Sequence, residues 1–390
     1  MSRKTICVLG GGIGGVVAAV SLKKATRSAA RIILIDKNTE HIFAPSFLWV
    51  LAGQRSAEQI KRPLERLKRK GIEFINQEVS RIYPDDRSIV FDDQVMKYDY
   101  LILALGAESN MPLIDGLEEA AINFYSLEGI GRLRKAIDEF DGGEVIVLVP
   151  SNPYKCPAAP YEAAFLIDHE LRVKKAKKNA KISIYTIEPL PMPGAGPQIG
   201  EAIKGFLANR GIQFFPNMSI DSVDAVSKTI NFKGGESKRA DLIITVPPHK
   251  TPDVIKNSGL ADESGWVPVN NKTLETKHKN VFAVGDVTKI ALEGRYKPDK
   301  QLSLPKAGVF AHEQALVVAE NIAADIKNEP KKREFDGQGA CFLELGDGKA
   351  GYAVGNFYEV PHPVVKMRTP SRTWHLYKVL FEKYWFWRWF

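Results

Sequence analysis

Cysteine is scarce: the 390 residues hold three, Cys7, Cys156 and Cys341. They lie too far apart for a zinc cluster and are too few for the disulfide framework of a small secreted domain. No metal site is expected, and any disulfide here should be redox-active rather than structural. Long apolar runs are missing as well, since no stretch approaches the ~18 residues of a membrane span. Nor is there a concentrated basic patch. The net charge is +8, yet lysine and arginine are scattered in pieces such as Lys61-Arg62, Lys68-Arg69-Lys70 and Lys174-Lys175-Ala176-Lys177-Lys178, with no recognition-helix or RNA-binding motif beside them. We therefore expect solvated surface and anionic-lipid contacts, with no nucleic acid partner. Internal repeats and low-complexity linkers are absent too. Met1 to Lys4 leads straight into a strand pattern and leaves no room for a signal peptide, so the chain is expected to be made in the cytoplasm.

With 44% hydrophobic and 26% charged residues, the composition is that of a globular protein of two or three domains. An apolar run from Thr5 to Leu9 is followed by Gly10-Gly-Gly12-Ile-Gly14-Gly15, a helical pattern from Val16 to Lys24, and a second apolar run, Arg31 to Ile35, closed by Asp36. This predicts strand, turn, helix, strand. Gly10, Gly12 and Gly15 hold the three fingerprint positions at the start of the helix, where backbone N–H groups and the helix dipole cradle a pyrophosphate. Asp36 falls roughly 20 residues on, where an acidic side chain meets ribose hydroxyls. The motif alone leaves FAD and NAD both open. Tyr98 to Gly106 has the pattern of a buried strand, and Glu144–Pro150, Lys181–Glu188 and Asp241–Val246 begin a second, similar series. A strand is expected over Asn280–Asp286, and a long helix over Leu304–Ile326 entered through Pro305. The fold class is thus α/β, with two Rossmann-like domains that are interleaved rather than strung in a row.

The segment Thr276 to Gly285-Asp286, taken with Ala104-Leu105-Gly106-Ala107, resembles the paired signatures of the two-dinucleotide-binding-domain flavoproteins, and the likeness runs from residue 4 to about 326. It implies a glutathione-reductase-like FAD fold. The FAD-binding Rossmann domain would take 1–108 and 246–326, a second Rossmann-like domain 109–245, and a C-terminal segment 327–390. Cofactor contacts are implied for Gly10, Gly12, Gly15, Asp36, Lys37, Pro45, Ala104, Gly106, Gly285 and Asp286. The Asp286 carboxylate would meet the ribityl and phosphate part of FAD. Taken alone, Asp286 also suits a plain helix cap.

Relatives that use NADH carry a second glycine fingerprint after the first strand of the inserted domain. Here Glu144–Pro150 is followed by Ser151-Asn-Pro-Tyr-Lys-Cys156, and prolines with bulky residues cannot approach a pyrophosphate as glycines do. NAD(P)H is not expected as the electron donor. The stretch Tyr154-Lys-Cys156-Pro-Ala-Ala-Pro160-Tyr-Glu162 resembles the cysteine motif of sulfide:quinone oxidoreductases and of the flavoprotein subunit of flavocytochrome c sulfide dehydrogenase. Pro160 suits the first turn of a helix, which would put Cys156 before the helix's positive end and favour its thiolate. The resemblance implies a redox pair of Cys156 and Cys341, with Cys341 toward the flavin, Cys156 carrying the attacked sulfur and Glu162 handling protons. It further implies flavin contacts for Lys306 and Gly308, in Pro305-Lys306-Ala307-Gly308, and for Lys378. By themselves Cys341 and Cys7 read as core residues.

Three departures stand out. The family's third redox cysteine, between the glycine half and the position of Cys156, has no counterpart, the matching region being Asn123-Phe-Tyr-Ser126-Leu-Glu, so FAD is expected to be non-covalent. The histidine that the family often places soon after such a Glu188-Pro189 turn does not appear until His249, and Ala307 stands where the family's Pro-Lys-Thr-Gly motif has threonine.

Four of the six tryptophans lie between Trp374 and Phe390. In that stretch Lys378 and Glu382 fall on one helical face against Tyr377, Leu380, Phe381 and Tyr384. The element is too short to span a bilayer, and the resemblance implies a peripheral, monotopic membrane anchor that admits quinone. A tail docked in a dimer interface is the alternative, leaving a homo-oligomer open. The function implied is FAD-dependent oxidation of hydrogen sulfide to sulfane sulfur or polysulfide, with electrons passed to quinone. Rivals are a soluble sulfide dehydrogenase that donates to a cytochrome, an enzyme like the type II NADH:quinone dehydrogenases, and a flavin-holding redox sensor without turnover.

Overall fold

The computed structural model describes residues 3–174, 179–331 and 333–390; of the basic run 174–178 only Lys174 is among them. Apolar strands buried on both faces form two parallel sheets of five strands each, the pattern expected where helices cover both sides. The first sheet has the order Val281–Ala283, Tyr100–Leu103, Lys4–Leu9, Ala30–Asp36, Glu73–Asn76. The second has Ile122–Asn123, Leu242–Thr245, Gly143–Val149, Ala180–Thr186, Gln213–Phe215. All eight pairings are parallel. Because Val281–Ala283 joins the sheet of the N-terminal strands, the second sheet is inserted into the first unit's sequence, which meets the expectation of two interleaved halves.

The helix Ile13–Thr26 carries glycine, alanine and valine on its packed side and lies against Gly308–Ile326. The two helices approach closely at Gly308, where a Cβ would come 2.6 Å from Ile13 Cδ1. The helix expected from Leu304 in fact starts at Gly308, because Pro305 to Ala307 is held extended. Its cause is tertiary. The Cys156 N–H donates to the Lys306 carbonyl at 2.7 Å, forming a parallel bridge between Lys155 and Lys306 that a helical Lys306 could not make. The sequence pattern favoured a helix through Pro305 since proline suits the first turn; the strand-like bond overrides it.

A third, antiparallel sheet of Gln338–Glu344, Ala350–Asn356 and Val364–Ser371 follows. It feeds the terminal helix Arg372–Trp389, whose N-cap Ser371 accepts from Trp374 N–H. That helix is inverted relative to an ordinary surface helix. Lys378, Glu382, Trp385, Phe386 and Trp389 are buried, whereas Leu376, Tyr377, Leu380, Phe381, Tyr384 and Trp387 are 44–75% exposed. Buried charge survives because it is paired: Glu382 accepts from Ser46 Oγ at 2.6 Å and meets Arg55 at 2.7 Å. Trp385 stacks on His41 at 4.8 Å, and His41 in turn bonds the Gly11 carbonyl through Nδ1. The C-terminus is thereby fastened to the N-terminal glycine turn. Among the described residues no helix is long and apolar enough to cross a membrane.

Candidate active site

The glycine turn is shaped by contacts within it. Gly10 has φ +104, and a Cβ on it would overlap the Ala104 carbonyl; one on Gly15 would overlap the Gly10 carbonyl. Gly12 differs, since a Cβ there would meet nothing within 4 Å. It caps Ile13–Thr26 without a side-chain bond, so no capping side chain satisfies the helix's first N–H groups. Asp36 ends the second strand, and one of its oxygens accepts from Gly11 N–H. Across the mouth of the same sheet, Gly285 has φ +74 and donates to Gln314 at 2.7 Å, while Gly106, φ +69, is open on its Cβ side. Asp286 makes no helix cap. Its Oδ1 is buried with no partner among the described residues, and burial raises its pKa against the pull of Lys155 and Lys306. An orphaned carboxylate oxygen beside an open glycine turn fits a bound dinucleotide whose hydroxyls supply the missing donors.

Other expected contacts are arranged differently. Lys37 pairs with Glu78 at 3.1 Å and Glu108 at 3.3 Å, and Pro45 lies exposed in the 3-10 turn Ala44–Ser46. Lys306 donates to the carbonyls of Asp286 at 2.7 Å and Thr288 at 2.9 Å and lies 3.4 Å over the Trp266 ring. Burial, opposed by Asp286, pushes its ammonium down to about 7.

Cys156 and Cys341 open into one cavity of about 510 Å³, whose walls are largely apolar and include Met192, Phe310, Phe357 and Met367. Both are free thiols. Cys156 sits at φ +53, held by its N–H bond to Lys306 and by two donors to its carbonyl, Ala159 N at 2.9 Å and Tyr125 Oη at 3.2 Å. Cys341 comes from Gln338–Glu344; it is exposed and lines the cavity. Pro160 does lie in the first turn of the helix Ala159–Val173. The thiolate expected from that helix end is overridden, however. Burial first, then the charge of Glu162, raises the Cys156 pKa and pushes Cys341 up to about 11, with Lys378 pulling both back.

Glu162 and Lys378 form a buried pair. Glu162 Oε1 accepts from Lys378 Nζ at 3.2 Å and from Glu344 N–H at 2.8 Å, and Lys378 also approaches Glu344 at 3.6 Å. Glu344 is further held by His375 at 3.0 Å and Trp49 at 3.2 Å. Burial lifts the Glu162 carboxyl despite Lys378. Burial alone would lower the Lys378 ammonium, but Glu162 and Glu344 outweigh it and hold it protonated. Lys378 therefore serves this carboxylate cluster beside the thiols.

Sequence reasoning missed Glu344, Tyr125 and a cluster at the second half's vacant fingerprint. There Tyr154, from the loop, and Tyr161, from the following helix, both donate to Glu188 Oε2 at 2.9 Å. The available signal was position: Glu188 follows the strand Ala180–Thr186 much as Asp36 ends Ala30–Asp36. In place of the third cysteine, Ser126 caps the helix Leu127–Glu139 and accepts from Gly129 N–H at 3.0 Å. Cys7 is core, as expected, with no exposed surface.

The family model for pyridine nucleotide-disulphide oxidoreductases matches residues 4–315. The sulfide-quinone reductase of Aquifex aeolicus is 27% identical, over 99% of this chain and 91% of the relative. The mitochondrial sulfide:quinone oxidoreductase of Mus musculus is 26% identical, over 87% and 75%. The solved structure of the Aquifex aeolicus sulfide:quinone oxidoreductase superposes with a TM-score of 0.88 at 26% identity, covering 99% of this chain and 91% of that one.

Proposed function

The chain belongs to the pyridine nucleotide-disulphide oxidoreductase family, and from that premise we propose that it is an FAD-dependent sulfide:quinone oxidoreductase working at a membrane surface. One observation carries the reading: two thiols from distant parts of the chain open into one apolar cavity, next to a half whose nucleotide fingerprint is replaced by Ser151–Lys155. Such a cavity admits a small, weakly polar substrate and has no glycine turn to take NADH.

Hydrosulfide attacks the oxidised Cys156–Cys341 pair at Cys156. A sulfur–sulfur bond forms to the substrate, the bond between the cysteines breaks, and its electron pair stays on Cys341 as thiolate. FAD, held by the glycine turn, Gly106 and the Gly285-Asp286 corner, would accept two electrons from the sulfur side and deliver them to quinone. Lys378 compensates the thiolate. When a thiol gives its proton to Glu162, one negative charge replaces another beside the same ammonium, so no net charge is created in the buried site. The absence of a thiol at Asn123–Leu127 supports a non-covalent FAD, which acid denaturation should release. The exposed aromatic face of Arg372–Trp389, flanked by Lys383 and Arg388, suits the interfacial region of a bilayer and favours a membrane acceptor over a soluble cytochrome.

Stopped-flow mixing tests the assignment. Sulfide should bleach the flavin, quinone should restore it, and micromolar NADH should do neither; rapid bleaching by NADH would overturn it.

A further inference from the structure

Glu188 is 3% exposed and lines the cavity that Cys156 and Cys341 share. Its Oε2 takes both tyrosine hydroxyls, and among the described residues no donor reaches Oε1. No cation pairs with it in a salt bridge among the described residues, unlike Glu162, which is tied to Lys378. The charged and titratable groups around it are Tyr154, Tyr161 and Lys300, with Tyr125 feeling its charge from the other side. Burying an unpaired carboxylate in an apolar wall is costly, and a buried methyl or amide would avoid that cost. The group is also poised to titrate: burial pushes the carboxyl up to about 7, against the two tyrosine donors and Lys300.

We propose that Glu188, positioned by Tyr154 and Tyr161, accepts the proton of hydrogen sulfide as it enters the cavity, a role separate from that of Glu162 toward the thiols. The idea rests on the sulfide-oxidising reading above. Neutral hydrogen sulfide loses less hydration than hydrosulfide on entering an apolar cavity, so near neutral pH forming the nucleophile inside is the lower-cost route. Hydrogen sulfide and carboxylate give hydrosulfide and carboxylic acid; the hydrosulfide goes on to the cysteine pair, and Glu188 returns its proton to water. The place that would hold a ribose hydroxyl donor in a nucleotide-binding half is thus occupied by tyrosine hydroxyls, and the acidic group there is turned to proton transfer.

The test compares sulfide-dependent flavin bleaching in wild type and Glu188→Gln across pH, using the ratio of the two rates because the ionisation of sulfide in water is common to both. The ratio should peak near neutrality at about 100, a typical contribution of a general base. It should fall toward one at lower pH, where wild-type Glu188 is protonated, and at higher pH, where hydrosulfide is already formed. Infrared titration of the protein should show a carboxylic acid band lost on ionisation near neutral pH and missing from Glu188→Gln. Tyr154→Phe removes one donor to the carboxylate, so the peak and the band should both move to higher pH. A ratio that is flat with pH, or a band that Glu188→Gln leaves in place, would overturn the proposal. Wild type that sulfide fails to bleach would instead bring down the functional reading, and the proposal with it, whatever the infrared band does.

Discussion

The two parallel sheets share the order of four strands and differ in the fifth, Val281–Ala283 coming last in its sheet's sequence and Ile122–Asn123 first, and their first crossovers end in opposite ways. In the first, Gly12 is open on its Cβ side and caps Ile13–Thr26 without a side-chain bond, with Asp36 holding the turn through Gly11. In the second, the equivalent loop places Tyr154 and Cys156 where glycines would stand, the Cys156 amide is taken by Lys306, and Glu188 is closed in by tyrosines. Backbone topology is set by apolar strands and crossover handedness, which tolerate either loop. Whether a dinucleotide binds is set by the few side chains at the carboxyl ends of the strands. The second half therefore keeps the scaffold and carries a thiol-bearing loop where the first half has its glycine turn.

The comparison breaks most sharply at the cysteines. Cys156→Ser and Cys341→Ser should each lower sulfide-dependent bleaching by about 1,000-fold or more while leaving FAD bound, and the double variant should be scarcely worse than either, since the two act as a unit. Cys7→Ser is the control. Wild-type turnover in either single variant would end the pair assignment. In the first half the vulnerable position is Gly15. Gly15→Val, whose Cβ would overlap the Gly10 carbonyl, should abolish retention of flavin, read as absorbance per chain after desalting; Ser151→Val, at the matching loop of the second half, should leave it unchanged.

Smaller effects separate the inner and outer faces of the terminal helix. Lys378→Met strands Glu162 and Glu344 as buried carboxylates, so denaturant unfolding should show a loss of about 3–5 kcal/mol. Trp387→Ala, by contrast, removes a side chain 75% exposed and should change stability by less than about 0.5 kcal/mol while weakening binding to liposomes. Equal liposome binding by the Trp387 variant would favour a protein contact for that face.

Much of this was legible beforehand. Gly10, Gly12, Gly15 and Asp36 announced the turn between first strand and helix because a tight turn and a close backbone approach constrain residue type locally, within one crossover. The Gly285-Asp286 corner and the helix behind Pro160 were visible for similar reasons. The start of Gly308–Ile326 was misplaced, because the bond that keeps Lys306 extended comes from Cys156, far away in the chain. The expected thiolate at Cys156 failed likewise: a helix end acts locally, whereas burial and the Glu162 charge depend on everything packed around the thiol.

The sequence by itself determined the alternation of apolar strands and helices, the glycine turn that excludes side chains, and the lack of such a turn in the second half. These depend on residue type at short spacing. Only the tertiary structure decided that Lys378 would lie among carboxylates, that Lys378 and Glu382 of the last helix would point inward while Tyr377, Phe381, Tyr384 and Trp387 point outward, and that Glu188 would share a cavity with both thiols. Electrostatic environment and cavity walls are built from residues remote in sequence, and no local pattern encodes the distances among them.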